Sequence, residues 1–222
     1  MATFGATSPQ LRSAVGRNLR INLVLASNAD HSVGPFNRKC HRGHMNIDEA
    51  QRGISRAYVG GAPGVLVSGL VWLVAGLVWS RAGAADAFHA LFVGGMAIFP
   101  VSPLVARFAL RAPAVDPANP LNRLGLESTF VLLAGVLVGY VMLRVKPELA
   151  IPTVSVVMGA RYFAFRTVYG QVLYWALAGA ICLVGTLAVF GRLLPVGNLA
   201  VQVAVIEVGL GLVLLWRYYA AR

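Results

Sequence analysis

Six apolar blocks, separated by short polar or charged breaks, occupy the chain from position 59 to position 216. Residues 59–79 hold 21 positions without a charge, and residues 87–106 hold 20. A helix rises about 1.5 Å per residue, so about 20 apolar residues match the hydrocarbon core of a bilayer. The third block runs over residues 124–143 with Glu127 near its start, and the fifth covers 167–191. The sixth covers 193–216 with Glu207 in its middle. The fourth is the weakest, because residues 149–160 are uncharged and Arg161 then interrupts. This pattern predicts an all-α membrane protein, a bundle of six transmembrane helices filling residues 59–222.

Upstream of the blocks the pattern changes twice. Residues 1–44 are basic, polar and aperiodic, and their one apolar patch, residues 21–26, is too short for a signal peptide. They read as a disordered N-terminal extension. Residues 45–58 read as a short cytoplasmic amphipathic helix. Asn46 or Asp48 caps its start, acids occupy its first turn, and Arg52 and Arg56 stand four apart near its end.

Charge sets the orientation. With six spans, one side of the membrane holds 15 of the Lys and Arg residues and the other holds 4. Leaving out residues 1–44 narrows the split to 9 against 4 without changing its sign. The basic side is the cytoplasmic side, so both termini are expected there, in a multi-pass protein of the inner (plasma) membrane. Breaks near Arg81, Arg144 and Arg192 read as tight external turns. The one long loop, residues 111–123, carries three prolines and is expected to be extended and irregular.

Composition agrees. The chain is 58% hydrophobic and 12% charged, far below the roughly 25% charged of a soluble domain. Its net charge of +11 lies beside apolar blocks instead of forming a stripe with interleaved aromatics, which argues against nucleic acid. Cys40 and Cys182 are the only cysteines, so no disulfide framework organises the fold. Cys40, His41 and His44 lie together, but a metal site needs a framed set of ligands, and none is expected here. The chain also lacks the zinc-protease, nucleophile-elbow, phosphate-loop and dinucleotide motifs, and no cofactor is expected.

From position 45 onward, the stretch IDEAQRGISRAYVGGAPGVLVSGLVWLVAGL resembles the opening of a family of uncharacterised bacterial multi-pass membrane proteins. FPVSPL, GLEST and ARYFAFRTVYG fit the same family, and the resemblance covers about residues 45–216. It implies a helical membrane fold and carries no activity, ligand or catalytic residue with it. It also implies that Met45 is the natural start, with residues 1–44 an upstream extension outside the natural protein.

Ionisable groups inside a membrane are costly and are functional candidates by default. In the second block His89, Met96, Pro100, Pro103 and Arg107 share one helical face, and the two prolines free carbonyls four residues back. That suggests a broken helix lining a site. In the fourth block Tyr162, Arg166 and Tyr169 share a face, with Arg161 about 140° from Arg166. Arg161 suits a carboxylate or an anionic headgroup. Glu127 and Glu207 are the acids within the blocks. Glu207 and Arg161 lie at depths that differ by about 3 Å, which predicts that blocks four and six pack together and that the two residues pair. The candidate ligand-binding set is Arg161, Glu207, Arg107, Glu127, His89, Tyr162 and Arg166, with no catalytic residue assigned. Gly60, Gly64 and Ser68, and Gly135 and Gly139, repeat every four residues and allow close helix contact, within one chain before a dimer.

Three function classes follow, in this order. The first is a non-enzymatic protein that binds or moves a small solute through a polar site between helices, its partners the bilayer and that solute or an anionic lipid headgroup. The second is an intramembrane enzyme using Glu207, Glu127 or His89. The third is a non-catalytic accessory subunit. Oligomeric state has no signature in the sequence.

Overall fold

The computed structural model describes residues 46–191 and 198–220. The expectations for residues 1–44, including the Cys40, His41 and His44 group, and for the turn at Arg192, lie outside the described residues. The described residues contain seven α-helices and no strand.

The first helix, α1 (Ile47–Ala57), starts where Asn46 accepts a hydrogen bond from the Asp48 amide, and Asp48 and Glu49 occupy its first turn. Its buried face is Ala50, Ile54 and Ala57. Two long-range bonds tie it to the rest of the protein. Gln51 donates from Nε2 to the Thr167 carbonyl at 2.6 Å, and Asn119 donates from Nδ2 to the Ala50 carbonyl at 2.8 Å. Ile54 also packs with Leu121 and Val168. Residues 45–58 therefore belong to one folded unit, Met45–Arg222.

A sharp reversal follows. Val59, Gly60 and Gly61 all have positive φ, at 52°, 64° and 81°. A β-branched residue in that region is a backbone outlier, and buried Val59 is held there by its surroundings. Tyr174 donates its hydroxyl to the Gly60 carbonyl at 2.8 Å. A side chain at Gly61 would run into the Tyr174 hydroxyl and the Tyr169 ring, so both geometry and space demand glycine.

Six long helices follow: α2 (Ala62–Ala82), α3 (Ala84–Leu104), α4 (Leu121–Val145), α5 (Ala150–Tyr169), α6 (Leu173–Val189) and α7 (Leu199–Ala220). They fall on the six apolar blocks. Four segments are long and apolar enough to cross a membrane: Val59–Ala82, Ala84–Ala109, Leu121–Val145 and Leu199–Ala220. Of the other two, α6 is apolar but has 17 residues, and α5 carries Arg161 and Arg166. The boundary between blocks four and five moves: Thr167 and Tyr169 finish α5, and Gly170, at φ 71°, ends it. The loop at 111–123 is irregular as expected, yet it is pinned. Asp116 accepts from the Ala118 amide, and buried Asn119 accepts from Leu121 while donating to α1.

The helices pack in the order α3, α2, α7, α6, α5, α4. Glycine makes the contacts close. Gly69 and Gly76 of α2 meet Val208 and Val201 of α7, and Gly159 of α5 meets Cys182 of α6. Gly135 and Gly139 of α4 meet Val157 and Val154 of α5, within the same chain. Blocks four and six, α5 and α7, touch only lightly, contrary to the expected packing, because α6 and α2 are the main neighbours of each. The ends of the series, α3 and α4, scarcely touch. Buried Trp72, Tyr162, Tyr174, Leu177, Leu199 and Leu214 form the core, while Phe92, Phe99, Phe130, Trp175 and Trp216 stand exposed on the outside.

Candidate functional site

The unfilled gap between α3 and α4 contains a cavity of about 330 Å³. Five helices line it. Ile54 of α1 and Tyr58, just after that helix, line it, together with Gly64 and Ser68 of α2, Ser102 and Pro103 of α3, Gly125 and Thr129 of α4, and Arg161, Tyr162 and Phe165 of α5. Arg161 is the single charged residue in that lining.

Arg161 is held on three sides. Its Nε donates to Ser128 Oγ at 3.3 Å and its Nη2 to Thr129 Oγ1 at 3.1 Å, and its guanidinium carbon lies 4.8 Å from the centre of the Phe165 ring. A planar fork over an aromatic face keeps its plane fixed and leaves donors over. No described carboxylate reaches it, since Lys146–Glu148 is the one ion pair among the described residues.

Glu207 sits one layer behind, fully buried. Tyr162 donates its hydroxyl to Glu207 Oε1 at 2.8 Å. Glu207 Oε2 has no hydrogen-bond partner among the described residues. Ser68 stands beside this carboxyl, and its hydroxyl is also without a hydrogen-bond partner among the described residues. The expected Arg161–Glu207 pair is thus replaced. Arg161 turns to two hydroxyls on α4, and its neighbour in sequence, Tyr162, takes the carboxyl, because the two side chains project from different faces of α5. Behind Tyr162 the Tyr174 ring stacks at 6.2 Å, and Tyr169 stacks on Tyr174 at 5.3 Å with Phe165 edge-on to all three. These rings make one wall rigid.

The structure gathers Arg161, Tyr162 and Glu207 of the expected set and leaves the other four elsewhere. His89 is exposed beside Phe88, and Arg107 is exposed on the π-helical turn Val105–Ala109. Glu127 is exposed on α4, and Arg166 lies over the Trp175 ring at 5.9 Å, away from the cavity. Of the face expected to hold His89, Met96, Pro100, Pro103 and Arg107, Pro103 borders the cavity and the other four are exposed away from it; Ile98 and Ser102 of α3 line it as well. Nor is α3 broken at its prolines. It runs through Pro100 and Pro103 and widens only afterwards, at Val105–Ala109.

Sequence reasoning missed the hydroxyls. Ser102 Oγ lines the cavity, buried and without a hydrogen-bond partner among the described residues, and Ser128 and Thr129 orient Arg161. Adjacent hydroxyls in an apolar block were the available signal, but isolated serines and threonines commonly bond back to their own helix. Ser128 and Thr129 do that too, donating to the Gly125 carbonyl.

A family model described as a family of unknown function, DUF7010, matches residues 47–218. No curated protein and no solved structure matches the chain.

Proposed function

The chain belongs to the DUF7010 family, whose function is not established, and we propose that it is a six-span membrane protein that binds or moves a small solute through the cavity at Arg161. The observation that carries this reading is the cavity itself. A space of about 330 Å³ between helices, with one oriented arginine as its only charge, is within the size range of ligand pockets. An arginine held by hydroxyls and an aromatic face is prepared for an anion.

Six spans are supported by the six long helices and by the 15 to 4 division of basic residues. The 17 residues of α6 rise about 26 Å, enough with its flanking turns for the hydrocarbon core. Both termini are then cytoplasmic and the Arg161 end of the cavity faces the cytoplasm. Reporter fusions at residues 118 and 222 are expected to read cytoplasmic, and fusions at 83 and 146 external. A cytoplasmic reading at 146 rejects the six-span arrangement.

The solute reading has its own test. Cysteine is placed at Ser102 in a chain with Cys40 and Cys182 replaced, and thiosulfonate reagents are added from the cytoplasmic side. Thiols react as hydrated thiolates, so Ser102→Cys is expected to label, while Phe130→Cys, 64% exposed on the outer face, stays unreactive in lipid. An anionic reagent should label Ser102→Cys several-fold faster than a cationic one, and Arg161→Gln should remove the preference. Failure of Ser102→Cys to label rejects a solute-accessible site.

A further inference from the structure

The cavity does not end at Arg161. A second pocket of about 50 Å³ continues from it along the α3–α4 gap, and the two share Ser68, Ile98 and Met158 as lining. The second pocket has no charged lining residue, and apart from Ser68 its walls are apolar, Trp72 and Val136 among them. The cleft is therefore amphipathic along its length. One end presents the spare donors of Arg161 and the unpartnered Ser102 hydroxyl, and the other presents hydrocarbon. From Thr129 to Val136 the distance is seven residues of helix, about 10 Å.

The cleft also opens sideways. Phe99 is 73% exposed and Leu126 52% exposed, and both line the cavity. These residues stand where α3 and α4 scarcely touch, so the side of the cleft faces the outer surface of the bundle between these two helices.

Resting on the solute-binding reading of this cavity, we infer that the ligand is an anionic amphiphile, its carboxylate or phosphate on Arg161 and its hydrocarbon tail laid along the α3–α4 gap. A tail in the gap supplies the contacts that α3 and α4 do not make with each other. A small inorganic anion would leave the apolar end empty, and an uncharged or cationic amphiphile would leave Arg161 without a counter-charge in a low-dielectric site. Free fatty acids or alkyl phosphates, and anionic membrane lipids, share this chemistry.

The test uses the full chain in phosphatidylcholine nanodiscs, with Trp79, Trp175 and Trp216 changed to Phe so that Trp72, beside the expected tail, is the sole indole. Dodecanoate brominated at its chain end should quench Trp72 saturably, whereas the equivalent bromoalkyl trimethylammonium should give only the linear quenching of partition into lipid. Arg161→Gln should raise the half-saturating concentration at least tenfold, and Arg107→Gln, on the outer face, should leave it unchanged. Gly125→Leu guards against misfolding in the arginine variant. Gly125 lines the cavity and nothing lies within 4 Å of a Cβ built there, so the position accepts a side chain at its root, and a leucine there takes up head-end space and should abolish saturable quenching. A second arm replaces the fatty acid with brominated lipid. Quenching by phosphatidylglycerol in excess of phosphatidylcholine identifies a membrane lipid as the source, and quenching by dodecanoate alone identifies a free anion. Equal quenching by anion and cation, or no response to Arg161→Gln and Gly125→Leu together, overturns the proposal. If Ser102→Cys still labels with hydrophilic reagents in that case, the solute reading survives and only the amphiphile is lost.

Discussion

Gly159→Ala is expected to destabilise the protein by about 3 kcal/mol, at the top of the usual range for overpacking. The added methyl group would stand 2.6 Å from Cys182 Sγ, 2.8 Å from the Cys182 amide nitrogen and 3.1 Å from the Ala178 carbonyl oxygen. Two of these atoms are backbone, so no rotamer change relieves the contact. The α5 and α6 axes must separate instead, and dispersion contacts along that interface weaken together. Shortening Cys182 to Ala removes the sulfur and leaves the backbone clash, so Gly159→Ala with Cys182→Ala should recover only a minor part of the loss. Gly179→Ala and Gly209→Ala are the controls. Nothing lies within 4 Å of a methyl group at either position, and both should be neutral or stabilising by up to about 1 kcal/mol. Unfolding in mixed detergent micelles reads the differences. Gly159→Ala no worse than the controls would rule out the close α5–α6 approach.

The second large effect lies at Glu207. Tyr162→Phe removes the one side-chain donor hydrogen-bonded to a fully buried carboxyl, and Glu207→Leu leaves the buried Tyr162 hydroxyl without its carboxyl acceptor. Each change should lower stability by about 2 kcal/mol or more, since an unsatisfied buried polar group keeps its desolvation penalty. The double variant removes both polar groups and should lose less than the sum, giving a coupling energy of about 1.5–3 kcal/mol. Glu207→Gln retains an acceptor for Tyr162 and should be much milder. Arg161→Gln combined with Glu207→Leu should come closer to additivity, because Arg161 bonds Ser128 and Thr129 instead of the carboxylate. An Arg161–Glu207 coupling larger than the Tyr162–Glu207 coupling would sink this arrangement and restore a direct pair.

Glu207 stood out in the sequence because a carboxyl amid apolar neighbours is conspicuous, and it is indeed buried in the interior. Its partner did not stand out. Depth along the bundle placed Arg161 and Tyr162 about equally well, since adjacent residues differ by only about 1.5 Å in height. Direction separates them, by about 100° around the helix, and direction has meaning only once the neighbours of α5 are known. Pro100 and Pro103 posed the same difficulty. Their chemistry suggested a break facing a site, but α3 stays helical through both, and the face carrying Met96 and Pro100 looks outward.

What the sequence determined by itself is local and periodic. The apolar blocks became the six long helices and Asn46 capped α1, because each of these follows from residues adjacent in the chain; the reversal at Val59–Gly61, inside the first apolar block, was not legible there. Tertiary structure alone decided the packing order, the gap between α3 and α4, and the cavity that Arg161 enters. An apolar helix with no polar stripe carries no mark of which side meets which neighbour. That choice falls to close contacts such as Gly69 against Val208 and Gly159 against Cys182, whose partners lie far apart in the chain and whose fit exists only when the helices are assembled.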